Sequence, residues 1–279
     1  MRAKHLFVTA VFALAATPAL AANANVPPPI QPNPHAPPAA AQQTPAPPPK
    51  PVKATPEQRA EVERLSPLAR AAFWAREVDV DGADMDARLR LARALRDMGK
   101  DEEAAAAADQ VLVVQPNNID ALLESARARI AENQGFYAID NAQHAAQLAP
   151  RDWRPVAILA VAYEQSQRDS EALAAHQRAL QLAPDNPATL TNLGMYMATH
   201  GDAAGAEPLL RRAAAAPGAT AQERQNLALV LGLEGKLDEA EQLERRDLPP
   251  DMVAANLAYL RADATPENSR TWDSLRADP

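Results

Sequence analysis

The feature that most constrains this chain is a sequence period of 34 residues. Pro116, Pro150 and Pro184 are separated by that interval. Small residues recur in the same frame in two further columns: Ala92, Ala126, Ala160, Gly194 and Ala228, then Ala104, Ala138, Ala172, Ala206 and Ala240. Because alanine is frequent in the chain, a single match means little, but three columns in one phase indicate a tandem repeat.

Each unit of the period contains two helical patterns of about a dozen residues, joined by a polar turn. Small residues at matching places on the two helices allow an antiparallel pair to approach closely. Proline after the second helix cannot continue it and marks the turn into the next unit. One unit cannot bury its own apolar face, so neighbouring units must stack. We therefore predict an all-α solenoid of antiparallel helix pairs.

The residues of the unit resemble the tetratricopeptide family. With Trp153 as position one, the matching residues are Leu159, Ala160, Tyr163, Ala172, Ala179 and Pro184. The resemblance implies a tetratricopeptide-repeat array with the repeats 85–118, 119–152, 153–186, 187–220 and 221–250. We predict a degenerate leading helical pair at 57–84 and capping helices at 251–279.

The second repeat departs most from the pattern. Ser125 stands where the other repeats have leucine, and Gly135 opens the run Gly-Phe-Tyr near the turn. We expect this run to shift the turn of that repeat.

The N-terminus has the pattern of a secretory signal peptide over residues 1–21. Arg2 and Lys4 precede a short apolar run, and small residues precede a cleavage site after Ala21. A membrane anchor is the alternative, but the run is too short to span a bilayer comfortably. We therefore expect an exported, periplasmic protein.

Residues 22–56 predict a disordered Pro/Ala-rich linker. Half of the 26 prolines of the chain fall between Pro27 and Pro56, and such a composition offers no apolar pattern to bury. The segment is either a tether gripped by a partner or a simple spacer. The lack of a PxxP motif with flanking basic residues favours the spacer.

Composition excludes several classes of function. The chain has no cysteine, which removes disulfides, thiolate metal sites and a lipid anchor on a mature N-terminal cysteine. A net charge of −8 is unfavourable for nucleic acid. We find no catalytic or phosphate-binding motif, and the histidines are scattered without ligand spacing. We expect a non-enzymatic protein without cofactor or metal, and no transmembrane segment in the mature chain.

A protein or extended peptide remains as the ligand. In the tetratricopeptide family the first helix of each repeat lines a groove, and the resemblance implies a partner-binding set from those helices: Arg90, Arg93, Arg127, Arg154, Thr191, Asn192, Met195, Gln225 and Asn226. Ala157, Ile158 and Val161 occupy the same positions in the third repeat. Asn192 and Asn226 are one period apart, so their amides either form a ladder for a peptide backbone or are ordinary polar surface residues.

The C-terminal third is similar to a narrower group, the tetratricopeptide proteins of tight-adherence (Flp) pilus assembly. The similarity lies in the runs AEPLLRRAAAAPGA, RQNLALVLGLEGKLDE and AEQLERRDLPPDMVAANLAYLRA, which lie within residues 206–262. It implies an envelope accessory factor that helps to assemble the secretin or the pilus. Many members of that group are lipoproteins, whereas this chain has no cysteine to carry a lipid.

Two functions are compatible with these observations. One is an adaptor that holds a pilus or secretin component in its groove. The other is a general cell-envelope scaffold or periplasmic chaperone unrelated to pili. A single specific envelope partner would favour the first, and many weak clients would favour the second.

Overall fold

The computed structural model describes residues 52–263 of the chain. Over that range the chain forms thirteen helices and no strand, which confirms the predicted all-α class. The predicted signal peptide, residues 22–51 of the predicted linker and residues 264–279 of the predicted capping region lie outside the described residues.

Five helical hairpins follow a leading helix pair and precede a final helix. The leading pair is α1 (Pro56–Val62) and α2 (Pro67–Val80), and the final helix is α13 (Pro250–Asp263). The first helices of the hairpins are α3 (Met85–Arg96), α5 (Ile119–Ala131), α7 (Trp153–Gln165), α9 (Pro187–Thr199) and α11 (Ala221–Leu233). The second helices are α4 (Asp101–Val114), α6 (Gly135–Leu148), α8 (Asp169–Leu182), α10 (Ala203–Ala215) and α12 (Leu237–Glu244). Within each set the helices begin 34 residues apart.

The same period sets where each first helix begins. A polar side chain at the N-cap accepts a hydrogen bond from a backbone N–H of the first turn, which would otherwise lack a partner in the helix. These N-cap residues are Asp84, Asn118, Asp152, Asn186 and Thr220.

The small residues of both columns lie in the contacts between helices. The four alanines of the first column and all five of the second are fully buried. In the fourth repeat, glycine replaces the alanine of the first column because Leu210 of α10 approaches there. A Cβ on Gly194 would lie 2.9 Å from Leu210 Cγ. Glycine at this position therefore leaves room for the Leu210 side chain.

The predicted shift of the second turn is wrong. α6 begins at Gly135, one period after α4 and one period before α8. Glycine at this position instead allows α7 to approach closely, since a Cβ on Gly135 would lie 2.6 Å from Gln165 Cβ of α7. Ser125 is fully buried, donates a hydrogen bond to Asp109 Oδ1 (2.6 Å) and accepts one from Asn141 Nδ2 (2.9 Å). Serine therefore replaces leucine to satisfy a polar contact between three helices.

A charged cluster closes the N-terminal end of the array. The buried Glu77 carboxylate of α2 accepts hydrogen bonds from Arg59 (2.6 Å) and from the backbone N–H of Ala54 (3.0 Å). Asp84 pairs with Arg59 at 2.7 Å and with Lys53 Nζ at 2.7 Å. The chain segment ahead of α1 is thus bound to the leading helix pair.

Helix α13 packs against the last hairpin at the other end. Val253, Leu257 and Leu260 are buried on one face, while Tyr259 is exposed on the other. A Cβ on Gly232 of α11 would lie 2.4 Å from Leu260 Cδ1. α13 therefore seats against a point where α11 has no side chain.

Candidate functional site

The first helices of consecutive repeats line one face of the array. α3 packs against α5, α5 against α7, and α9 against α11, in addition to the second helix of each hairpin. Side chains of neighbouring first helices can therefore bound a common site.

A cavity of about 260 Å³ lies on this face. Its lining comes from α5, α7 and α9: Arg127, Ile130, Trp153, Arg154, Ala157, Ile158, Val161 and Asn192. Of the predicted partner-binding residues, the cavity brings together Arg127, Arg154 and Asn192. The other six lie elsewhere on α3, α9 or α11, as described below.

Five residues of the lining were not among the predicted set, and of these Ala157, Ile158 and Val161 occupy groove positions of the family pattern. Ile130 and Trp153 lie outside the helix positions that the family pattern assigns to the groove. Their closeness in the sequence to Arg127 and Arg154 is the feature from which these two apolar residues could have been predicted.

The floor of the cavity is apolar. Ala157 and Ile158 of α7 are nearly buried, and Val161 is half-buried. These side chains leave a shallow apolar surface on which the side chain of an extended peptide would lose contact with water.

Three of the four predicted arginines already have close acidic partners. Arg90 bonds to Glu63 (2.8 Å) and Asp86 (2.9 Å), and its guanidinium lies over the Trp74 ring at 5.1 Å. It therefore joins the first repeat to the leading pair.

Arg93 and Arg154 are engaged in the same way. Arg93 pairs with Asp120 at 3.0 Å, and Arg154 pairs with Asp152, the N-cap of its own helix, at 2.6 Å. The hydrogen bond to Asp152 comes first among the causes that raise the pKa of Arg154 above its ordinary value.

Arg127 differs from the other three. Its closest acidic contact is Glu124 at 3.7 Å, beyond hydrogen-bond distance, and its guanidinium donates no hydrogen bond to any other residue in the range 52–263. Burial first, opposed by the Glu124 carboxylate and reinforced by the positive charges of Arg96, Arg154 and Arg93, holds the pKa of Arg127 below its ordinary value.

The predicted amides differ in how they are engaged. Asn192 lines the cavity, and its side chain forms no hydrogen bond with the rest of the described chain. Asn226 accepts a hydrogen bond from Gln222 Nε2 at 3.0 Å on the same helix, and Gln225 is half-buried beside it. The amide ladder stays a prediction, with Asn192 as its free member.

Thr191 and Met195 of α9 do not line the cavity. Thr191 is buried, and its hydroxyl has no hydrogen-bond partner among the described residues. Met195 is half-buried and packs against the apolar cluster that contains Leu227 and Leu231. Met195 thus lies in the packing between α9 and α11.

Residues 52–263 contain neither a metal-ligand cluster nor a membrane-spanning helix. No group of three His, Asp or Glu side chains converges there as a set of metal ligands. None of the helices in that range has the length and apolar character needed to cross a bilayer.

Comparison with known proteins bears on the fold. The family model described as tetratricopeptide repeat matches residues 157–188, within the third hairpin and into the next helix. No curated protein matches the sequence significantly.

Solved structures are similar over most of the array. A thermophilic tetratricopeptide protein of Thermus thermophilus has a TM-score of 0.57 and 23% identity, covering 64% of this chain and 99% of that one. A tetratricopeptide repeat protein from Parabacteroides merdae has a TM-score of 0.59 and 11% identity, covering 74% and 80%. A chain of the APC/C hetero-tetramer Cut9-Hcn1 has a TM-score of 0.61 and 17% identity, covering 74% and 42%. The chain therefore has the tetratricopeptide-repeat solenoid fold, a fold of protein-interaction scaffolds, and no catalytic family is indicated.

Proposed function

We propose that this protein is a non-enzymatic periplasmic scaffold that holds a secretin or pilus component during assembly of a tight-adherence pilus. The observation that carries the proposal is the cavity on the first helices, where an apolar floor lies between the unbonded groups of Arg127 and Asn192. A peptide needs both kinds of surface, because its side chains are partly apolar and its backbone and charged groups require partners.

The periplasmic location is supported by the N-terminal sequence. A basic start, a short apolar run and small residues before Ala22 form the pattern of an exported protein. Fractionation of cells that express a C-terminally tagged chain tests this location. A tagged protein that is found in the cytoplasmic fraction and still carries residues 1–21 would contradict it.

The link to pili is supported by the C-terminal sequence similarity. The residues that carry most of it form α11, α12 and α13. These helices pack around Leu227, Leu231 and Leu257, so the similar stretch is one structural unit of the array.

Affinity purification from envelope extracts tests the function. We expect the tagged full chain to recover one secretin or pilus protein, and a variant with Asn192→Ala and Asn226→Ala to lose it. The matched control is Asn117→Ala with Gln177→Ala, since both control amides are exposed and lie outside the first helices. A deletion strain should also lose surface pili and regain them with the wild-type gene.

One result would overturn the proposal and another would relocate its binding site. Recovery of many proteins with no dominant partner would favour the general envelope scaffold or chaperone. Recovery of the same pilus protein by the control and by the Asn192→Ala/Asn226→Ala variant would keep the pilus role. It would place the binding outside the amides of α9 and α11.

A further inference from the structure

The Arg127 guanidinium has no hydrogen-bonded acidic partner among the described residues. Its side chain is 38% exposed, at the edge of the cavity on the first helices. The nearby acid, Glu124, is only 1% exposed and already receives a short hydrogen bond from Arg96 Nε, with Arg93 at 3.9 Å. Glu124 therefore has a closer arginine partner than Arg127.

Three other arginines lie near Arg127, each with an acidic partner of its own. Burial is the first cause that lowers the pKa of Arg127; the Glu124 carboxylate opposes it, while repulsion from Arg96, Arg154 and Arg93 adds to it. An arginine nevertheless stays protonated in proteins. An incoming carboxylate would relieve this repulsion and would form the charge-assisted hydrogen bonds that Arg127 lacks.

The cavity next to Arg127 indicates which other groups of a ligand would bind beside its carboxylate. Ile158 and Val161 form an apolar floor, and Asn192 stands on the adjacent helix α9 with a free amide. An amide both donates to and accepts from a peptide backbone. The site thus offers a cation on α5, an apolar surface on α7 and a hydrogen-bonding partner for a peptide backbone on α9.

We propose that Arg127 binds the side-chain carboxylate of an Asp or Glu within an extended segment of the partner, whose following apolar residue lies on Ile158 and Val161. This proposal rests on the proposed scaffold function and specifies the chemistry of its ligand. Asn192 then hydrogen-bonds the backbone of the same segment.

An internal residue fits this place better than a chain terminus. First helices continue on both sides of the cavity, with Arg93 and Asp120 toward the N-terminal end and Gln225 and Asn226 toward the C-terminal end. These polar surfaces suit a peptide that runs past Arg127 in both directions. A terminal carboxylate bound at Arg127 would leave one of them empty.

A panel of matched peptides tests the proposal. Each is a twelve-residue Ser/Thr-rich peptide, acetylated and amidated, with a central Glu-Leu, Gln-Leu or Glu-Ser pair. A fourth peptide has no acidic side chain and ends in Gln-Leu with a free carboxylate. Binding to the isotope-labelled full chain is followed by NMR titration up to about 1 mM, the range in which weak peptide complexes form.

We expect the Glu-Leu peptide to bind about tenfold more tightly than the Gln-Leu peptide, which is typical of a charge-assisted contact. It should also bind more tightly than the Glu-Ser peptide and the free-acid peptide. Arg127→Gln should abolish the preference for Glu over Gln, and Val161→Ser should reduce the preference for Leu over Ser. Arg212→Gln is the matched control, because Arg212 is a half-exposed arginine of the second helix α10.

Three results would overturn the proposal: a wild-type chain without preference for Glu-Leu, an Arg127→Gln variant that keeps it, or tighter binding of the free-acid peptide. Thermal unfolding of Arg127→Gln verifies that the variant is folded. The two proposals fail separately. If peptides discriminate but no envelope protein is recovered, the pilus function fails, and if a partner is recovered without peptide discrimination, only the carboxylate site fails.

Discussion

Five residues, one in each repeat, adopt a left-handed backbone conformation at the turn between the two helices: Gly99, Asn133, Gln167, Gly201 and Gly235. Glycine adopts this conformation without steric cost and asparagine tolerates it, whereas a longer side chain is disfavoured there. The φ of Gln167 is +56°, so the third repeat retains a small local strain at a solvent-exposed residue.

Replacement of that residue should stabilise the chain. We expect Gln167→Gly to raise the free energy of unfolding by about 1 kcal/mol, because it removes a left-handed side chain. Urea unfolding measures the change. Gly99→Ala, at the equivalent turn with φ +71°, should lower the free energy by a similar amount. An unchanged midpoint for both variants would show that the turn is not strained.

The charged N-terminal cluster predicts a dependence of stability on pH. Burial opposes the charged form of Asp84, but hydrogen bonds from Lys53, the Ala87 N–H and Arg59 outweigh it and hold the Asp84 pKa well below its ordinary value. A lowered pKa in the folded state stabilises the fold above the pKa of the unfolded chain. This stabilisation is lost as the pH falls through the folded pKa.

We therefore expect the free energy of unfolding to fall below about pH 4, the pKa range of an unperturbed aspartate. Asp84→Asn should cost about 2 kcal/mol at pH 7, as expected for loss of hydrogen bonds to a charged group, and should make the acid fall shallower. Asp79→Asn is the control, since that side chain lies on an exposed position of α2. Parallel pH curves for wild type and Asp84→Asn would contradict the assignment.

Single residues also mark the limit of prediction from the sequence. The burial of the small residues can be predicted from the sequence because their column repeats every 34 residues. Ala126 and Ala160 are examples. The partners of Arg90 and Arg93 were not readable, because Glu63 and Asp120 lie on other helices or turns and meet them only after the array is stacked. The burial of Glu124 depends on the same stacking.

Among the elements, α13 has a distinct role. It has no second helix within the described residues, yet its apolar face covers α11 and α12 through Val253, Leu257 and Leu260. A repeat array needs such a cover, because the last hairpin would otherwise expose the face that a further repeat would bury.

Truncation of one side chain should loosen this end. We expect Leu260→Ala to destabilise the last hairpin by about 2–5 kcal/mol, the usual cost of a buried Leu→Ala change. Hydrogen exchange should accelerate in α11 and α12 and stay slow in α5 to α8. Tyr259→Ala, on the exposed face of α13, is the matched control and should leave exchange unchanged.

The array as a whole should behave as a one-dimensional chain of units. Each hairpin contacts only its neighbours, so the free energy of unfolding is close to a sum of unit and interface contributions. The position of a defect along the array then decides which part opens.

Two matched variants test this behaviour. Ala160→Leu and Ala228→Leu both overfill a fully buried contact of the same repeat position, at a cost of about 1–3 kcal/mol. In hydrogen exchange, Ala228→Leu should affect only α11 to α13, whereas Ala160→Leu should affect hairpins on both sides of α7. Ala174→Leu, on an exposed site of α8, controls for the added side chain. Equal loss of protection along the chain in both variants would indicate global two-state unfolding instead.

The binding of Lys53 and Ala54 to the leading helices has a mechanical consequence. Tension applied through the preceding proline-rich sequence would reach the ion pair of Lys53 with Asp84 and the hydrogen bond of Ala54 to Glu77 before it reached α1. That load would pull on several short contacts at once rather than unzip the first helix turn by turn. Since the contacts are ionic, the same anchor would yield at a lower force in acid or in concentrated salt.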